Sequence, residues 1–205
     1  MKFKFYALKV AVICIVLFVL QIIIPGFTET FVLNKSAFSE PWRFASSIFL
    51  HGGFGHLLYN MFALALFGSL LEKFIGGRRF MFIFLISGIA ANIISVNFYD
   101  SSLGASGAIY GIFGTLMIIR PGMIVWATGF PMPMVIAGFV WAAGDLTGLF
   151  VPSNVGHIAH LSGMALGLLI GIFIKARYRE KSQKENGIII DEGEVRRWED
   201  NYLRE

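Results

Sequence analysis

Cysteine is nearly missing from this 205-residue chain: Cys14 stands alone. No internal disulfide is possible, and the redox compartment stays open. Charge is scarce too, at 15% of residues against 56% hydrophobic ones, with a mean hydropathy of +0.70. Soluble domains carry about 25% charged residues, so that class is excluded and the chain reads as a polytopic membrane protein. There is no internal repeat and no low-complexity tract. The His-Glu-x-x-His pattern of helical metalloproteases is absent, and Asp145 has no second intramembrane aspartate with which to share a proton, which excludes an aspartyl dyad.

What is present is a series of apolar runs. A crossing needs about 20 mostly apolar residues, because no backbone polar group can stay unpaired in lipid. Six segments qualify, at about 6–24, 54–72, 80–98, 101–119, 132–150 and 156–175. The breaks PGFTET, EKFIGGRR, YDSS, RPG and VPSNVG carry the residues of turns and loops. The first run follows Lys2, Lys4 and Lys9 but is longer than a signal peptide's apolar core and lacks a small-residue cleavage site, so it reads as a retained helix.

Basic residues fall before the first run, after the second (Lys73, Arg78, Arg79), after the fourth (Arg120) and after the sixth (Lys175, Arg177, Arg179, Lys181, Lys184). That asymmetry predicts cytoplasmic termini. It also accounts for a net charge of +4 and needs no nucleic-acid partner. The lipid bilayer is the partner the composition implies, and the last basic cluster suits anionic headgroups.

Residues 25–53 are expected to form a long outer connection lying partly in the interface, with Trp42 and Arg43 as headgroup-level anchors. Residues 121–131 are expected to form an interfacial loop on the inner side. Glu72 with Lys73 reads as a snorkelling pair, His51 as an interfacial structural residue, and Asp145 as a solvated or helix-capping group. The segment EVRRWEDNYLRE, at 194–205, suits a short amphipathic helix within a polar tail, 176–205.

Polar residues inside apolar runs are costly and mark function by default. HGGFGHLLYN opens the second run, SLGASGAIY the fourth and VGHIAHLSG the sixth. With the amino terminus inside, all three start at the outer face. Ser106 falls about five residues into its run, or roughly 8 Å down at 1.5 Å per residue. His160, His56 and Asn60 fall at similar depth, a convergence that helix packing alone does not predict.

A serine becomes a nucleophile when a neighbouring base takes its proton, and histidine suits that task. Ser106 with His160 supplies the pair, with His157 one turn earlier as a second candidate base. No acidic residue is evident at that depth, so the expectation is a dyad. Tyr110, four residues after Ser106 on the same face, can stack on the imidazole. His56 and Asn60, spaced i, i+4, can donate to an oxyanion together with the Ser106 backbone N–H. Gly104 and Gly107 leave room for a substrate backbone. Taken alone, GASG equally suits close helix packing. Two other classes stay in view: a metal-binding protein built on His51, His56, His157 and His160, and a binding protein without catalysis. Against the metal reading, no helical carboxylate is expected to converge on the histidines.

GASG with Tyr110, the His56-x-x-x-Asn60 pair, the AHLSG of the sixth run and Trp42-Arg43 in a long first loop together resemble the rhomboid family of intramembrane serine proteases. The resemblance implies an all-α membrane protein with a six-transmembrane-helix bundle over residues 1–175 and a short central fourth helix. It implies Ser106 as nucleophile and His160, matching Ala-His-x-x-Gly, as general base, with His56 and Asn60 supporting the oxyanion. It further implies a water-filled cavity open to the outside, a gate formed by the fifth helix and the loop after it, no cofactor or metal, and single-pass or polytopic membrane proteins as substrates. A multi-pass protein of a prokaryotic plasma membrane is the expected setting.

Overall fold

A computed structural model describes residues 4–186, Gly193 and Arg197. Residues 1–172 form one compact unit and residues 173–205 a second. Among the described residues the sheet content is two small pairs, and the rest is helical or irregular.

The long elements follow the apolar runs. Helix α1 spans Tyr6–Ile23; β1, Leu33–Asn34, follows it. Helix α2 spans Phe54–Ile75 with one π turn at Leu64–Gly68, and α3 spans Gly77–Ser95. Strand β2 is Ser101–Ser102 and α4 is Ser106–Ile119. A hairpin of β3, Ile124–Ala127, and β4, Phe130–Pro133, precedes α5, Met134–Gly148. Helix α6 runs His157–Asn186. Four stretches, Tyr6–Ile23, Phe54–Ile75, Gly77–Ser95 and His157–Arg177, are long and apolar enough to cross a membrane, while α4 and α5 are shorter apolar helices.

Helix α4 starts five residues later than the sequence suggests. Residues 101–102 are instead extended and pair antiparallel with β1, Leu33 opposite Ser102. Gly104, at φ +125°, turns the chain in a region that a side chain disfavours, and its N–H donates to Ser47 O at 2.9 Å. Ser106 is therefore the first residue of its helix, and the 8 Å depth argued from a helix beginning near 101 does not hold. From Gly107 to Met117 every residue of α4 except Tyr110 is buried.

Residues 121–131, expected as a loop, contribute to a two-stranded hairpin. Thr128 and Gly129 both take positive φ, the geometry of a two-residue turn that matches strand twist. Val125 and Ala127 are buried while Ile124 and Trp126 are exposed, the alternation of a strand with one covered face.

Two charged residues are corrected. Arg43 is buried, not at a headgroup surface: Nε donates to Glu40, and Nη1 donates to Glu29 O at 2.7 Å and Val32 O at 2.9 Å. Glu72 is also buried and does not snorkel with the exposed Lys73. Its carboxylate accepts from the N–H groups of Lys4 (3.2 Å), just before α1, and Ala7 (3.1 Å), one of the donors that the start of α1 leaves open. The helix expected over 194–205 lies outside the described residues, Arg197 excepted.

Candidate active site

Helices α4 and α6 approach until backbones touch. An added Cβ at Gly163 or Gly167 would run into the carbonyls of Gly107 and Gly111, and one at Gly114 into that of Met164. Small residues permit this approach. Thr115 Oγ1 bonds across the seam to Gly167 O at 3.0 Å. The seam brings the start of α4, with Ser106, beside the start of α6, with His160.

Above the seam lies a cavity of about 1060 Å³ whose lining includes His56, Asn60, Gly104, Ser106, Tyr110 and His160. Ser106 is partly exposed to it. The first backbone hydrogen bond at this end of α4 runs from Ile109 N to Ala105 O at 2.9 Å. The N–H groups of Ser106, Gly107 and Ala108 precede that bond, and a helix start of this kind favours negative charge.

The Tyr110 ring stacks on His160, with centroids 4.3 Å apart and planes 11° from parallel. Among the described residues no hydrogen bond joins Ser106 to His160. Catalytic hydrogen bonds in a substrate-free enzyme are often long and tighten when substrate binds.

Helix α2 supplies two further groups. His56 Nδ1 accepts from Gly52 N–H at 3.3 Å, so its hydrogen resides on Nε2. A Cβ on Gly104 would stand 2.8 Å from that Nε2, which puts a donor two residues before the serine. Asn60 Nδ2 spends one hydrogen on His56 O at 2.8 Å, while its buried Oδ1 has no partner. His51 is buried within the protein: Gln21 holds its backbone at 3.0 and 3.2 Å, and its ring stands edge-on to His56 at 5.2 Å. Burial, and after it the charge of His56, lowers the His51 pKa to about 4.

The residue that sequence reasoning missed is Asp145. It is neither solvated nor a cap: it is 5% exposed, and Oδ1 lies 2.6 Å from His157 Nδ1 and 2.9 Å from His160 Nδ1. A helical carboxylate therefore does converge on the histidines. The one available signal was a lone aspartate in an apolar run. Among the described residues, Asp145, His157 and His160 have ligating atoms within 4.8 Å of one another, a set chemically fit for zinc. Ligands about 2.0–2.1 Å from a tetrahedral zinc stand roughly 3.3 Å apart. The two spacings to Asp145 Oδ1, 2.6 and 2.9 Å, are shorter and are those of hydrogen bonds.

Residues 39–177 match the family described as the Rhomboid domain. The chain belongs to the rhomboid family, and its apolar helices are those of an integral membrane protein. YdcA of Bacillus subtilis, a relative named for the same family, is 32% identical over 147 residues, 69% of this chain and 71% of its own length. Rhomboid protease GluP of the same species is 36% identical over 141 residues, 63% of this chain. RHOMBOID-like protein 4 of Arabidopsis thaliana is 36% identical over 140 residues, 67% of this chain. The chain spans only 27% of GluP and 35% of the Arabidopsis protein.

Proposed function

We propose that this chain is a rhomboid-type intramembrane serine endopeptidase that cuts a peptide bond in or beside a transmembrane segment of membrane-protein substrates. The observation that carries the reading is the lining of one cavity by Ser106, His160, His56 and Asn60. In this reading Ser106 Oγ attacks the scissile carbonyl carbon while His160 Nε2 takes its proton. The oxyanion of the tetrahedral intermediate accepts from the Ser106 N–H at the start of α4, from His56 Nε2–H and from the second amide hydrogen of Asn60. His160 then gives its proton to the leaving amine, and water hydrolyses the acyl-enzyme by the same exchange in reverse.

A transmembrane helix hides its carbonyls in internal hydrogen bonds, so the substrate must unwind locally before attack. Substrates with helix-destabilising residues near the outer face, and a small residue before the cut, fit this requirement. The reading includes α1 to α6 as six crossings with α4 short and central, a membrane domain over 1–175, a tail over 176–205, cytoplasmic termini, an outward-facing cavity and a prokaryotic plasma membrane. The relatives' names include plant and mitochondrial proteins, so the membrane of origin is tested separately by fractionation.

The test is reconstitution of the full chain in liposomes with a single-pass substrate bearing a glycine-rich outer half. Cleavage that needs Ser106 and His160 and ignores a chelator is the expected result. Cleavage retained in Ser106→Ala, or none by folded wild type that also fails to react with a serine-hydrolase probe, overturns the reading.

A further inference from the structure

One buried acid is left without a task in that mechanism. Asp145 reaches from α5 to the first turn of α6, where one oxygen, Oδ1, meets the Nδ1 atoms of both His157 and His160. An ionised carboxylate only accepts hydrogen bonds, so each of those nitrogens carries its hydrogen. For His160 the consequence is specific. With the hydrogen held on Nδ1, Nε2 keeps a lone pair, and it is His160, not His157 or Asp145, that lines the cavity.

Two further contacts make this arrangement rigid. The Tyr110 ring, stacked at 4.3 Å, fixes the plane of the imidazole, and its hydroxyl faces the Asp145 carboxylate. His157, having given Nδ1–H to Oδ1, lies 3.0 Å through Nε2 from Ser153 Oγ in the loop before α6. The carboxylate is thus gripped by two rings of one helix, one of them tied to the loop.

We propose that Asp145 is the positioning acid of the proteolytic site, acting through His160, and that His157 is the brace that holds Asp145 in place. The inference rests on the protease reading above. Asp145 selects the tautomer whose Nε2 can take the Ser106 proton, and it offsets the imidazolium charge that then appears in a medium of low dielectric. Without it, the tautomer with hydrogen on Nε2 competes, and that form cannot act as base. The sequence-level dyad becomes a dyad supported by an acid from a third helix.

The experiment uses the full chain in liposomes, as wild type, Asp145→Asn, Asp145→Glu and His157→Gln, with thermal melting beside kinetics. Histidine tautomers are read by nitrogen-15 NMR in the Ser106→Ala background. Expected are a fall in kcat of about 10²–10⁴ for Asp145→Asn with KM nearly unchanged, a smaller fall for His157→Gln, partial recovery in Asp145→Glu, and a His160 signal that moves from the Nδ1–H form towards a mixture in Asp145→Asn. Wild-type kcat in Asp145→Asn, or an unchanged His160 tautomer there, overturns the inference. If Asp145→Asn does not fold, Asp145→Glu and His157→Gln decide: wild-type kcat and tautomer in both likewise overturn it. Because the tautomer is read without turnover, loss of this inference is distinguishable from loss of the protease reading, which Ser106→Ala alone would bring down by continuing to cleave.

Discussion

Two buried polar clusters in this molecule are built from similar residues and treated in opposite ways. In the segment between α1 and α2, Arg43 is held by Glu40, Glu29 O and Val32 O; Ser47 Oγ donates to Arg43 O at 2.7 Å; and Asn92 Nδ2 donates to Phe44 O at 2.8 Å and Ser47 Oγ at 3.0 Å. No side-chain atom of these four residues is among the buried unsatisfied ones. In the cavity lining, by contrast, Asn60 keeps its buried Oδ1 without a partner. Native proteins rarely leave such groups unpaired, and exceptions call for a reason. The first cluster is finished and holds an irregular segment in shape; the second keeps bonding capacity in reserve beside the cavity. A buried polar group is therefore best read by what it still has left to bond.

The contrast is sharpest if mutations in the cavity cluster change rate and leave stability, while those in the first cluster do the reverse. The largest expected effect is Ser106→Ala: turnover of a transmembrane substrate falls by at least about 10³-fold, with an unchanged melting temperature. A stability loss of the same scale would mean that Ser106 packs the seam instead of reacting. Next, His56→Ala and Asn60→Ala should each lower kcat by up to about 10²–10³, less than the serine variant because other donors remain; wild-type rates in both would remove α2 from the site.

On the other side, Arg43→Ala should cost about 3 kcal/mol, seen in the denaturation midpoint, because it strands a glutamate and two carbonyls at once. The kcat of the folded fraction should hold, and a selective loss of kcat would break the comparison.

His51 gives the smallest effect. Its folded pKa, about 4, lies below the ordinary 6.5, so the unfolded chain binds the extra proton between those values. Stability is then full above pH 6.5 and falls as pH drops towards 4, by about 2 kcal/mol at pH 5. His51→Gln should flatten that slope in melting curves, and an unaltered slope would assign the pH dependence to another group.

Helix locations were legible in the chain because apolar run length is a local property that lipid enforces residue by residue. The residues lining the cavity were legible too, since GASG, His56-x-x-x-Asn60 and AHLSG are short-range patterns at three helix starts. Arg43 and Glu72 were misread for a common reason: exposure is the ordinary fate of a charge, and only the chain folding back on itself supplies the carbonyls and N–H groups that bury one. The start of α4 was misread because strand pairing with residues 33–34, nearly seventy positions earlier, overrode the local pattern.

The sequence by itself determined the membrane class, the approximate runs and the placing of Ser106 and His160 at the starts of two helices whose ends line one cavity, all carried by composition and by spacings of a few residues. Only the tertiary structure decided that Asp145 meets His160. The two are 15 residues apart, separated by a loop containing Pro152 and Gly156, and on an apolar helix no periodicity marks the side that turns inward. That rotation is set by packing against neighbouring helices, through contacts such as Met117 against Gly138 of α5, and with it comes the partner that sets which nitrogen of His160 carries its hydrogen.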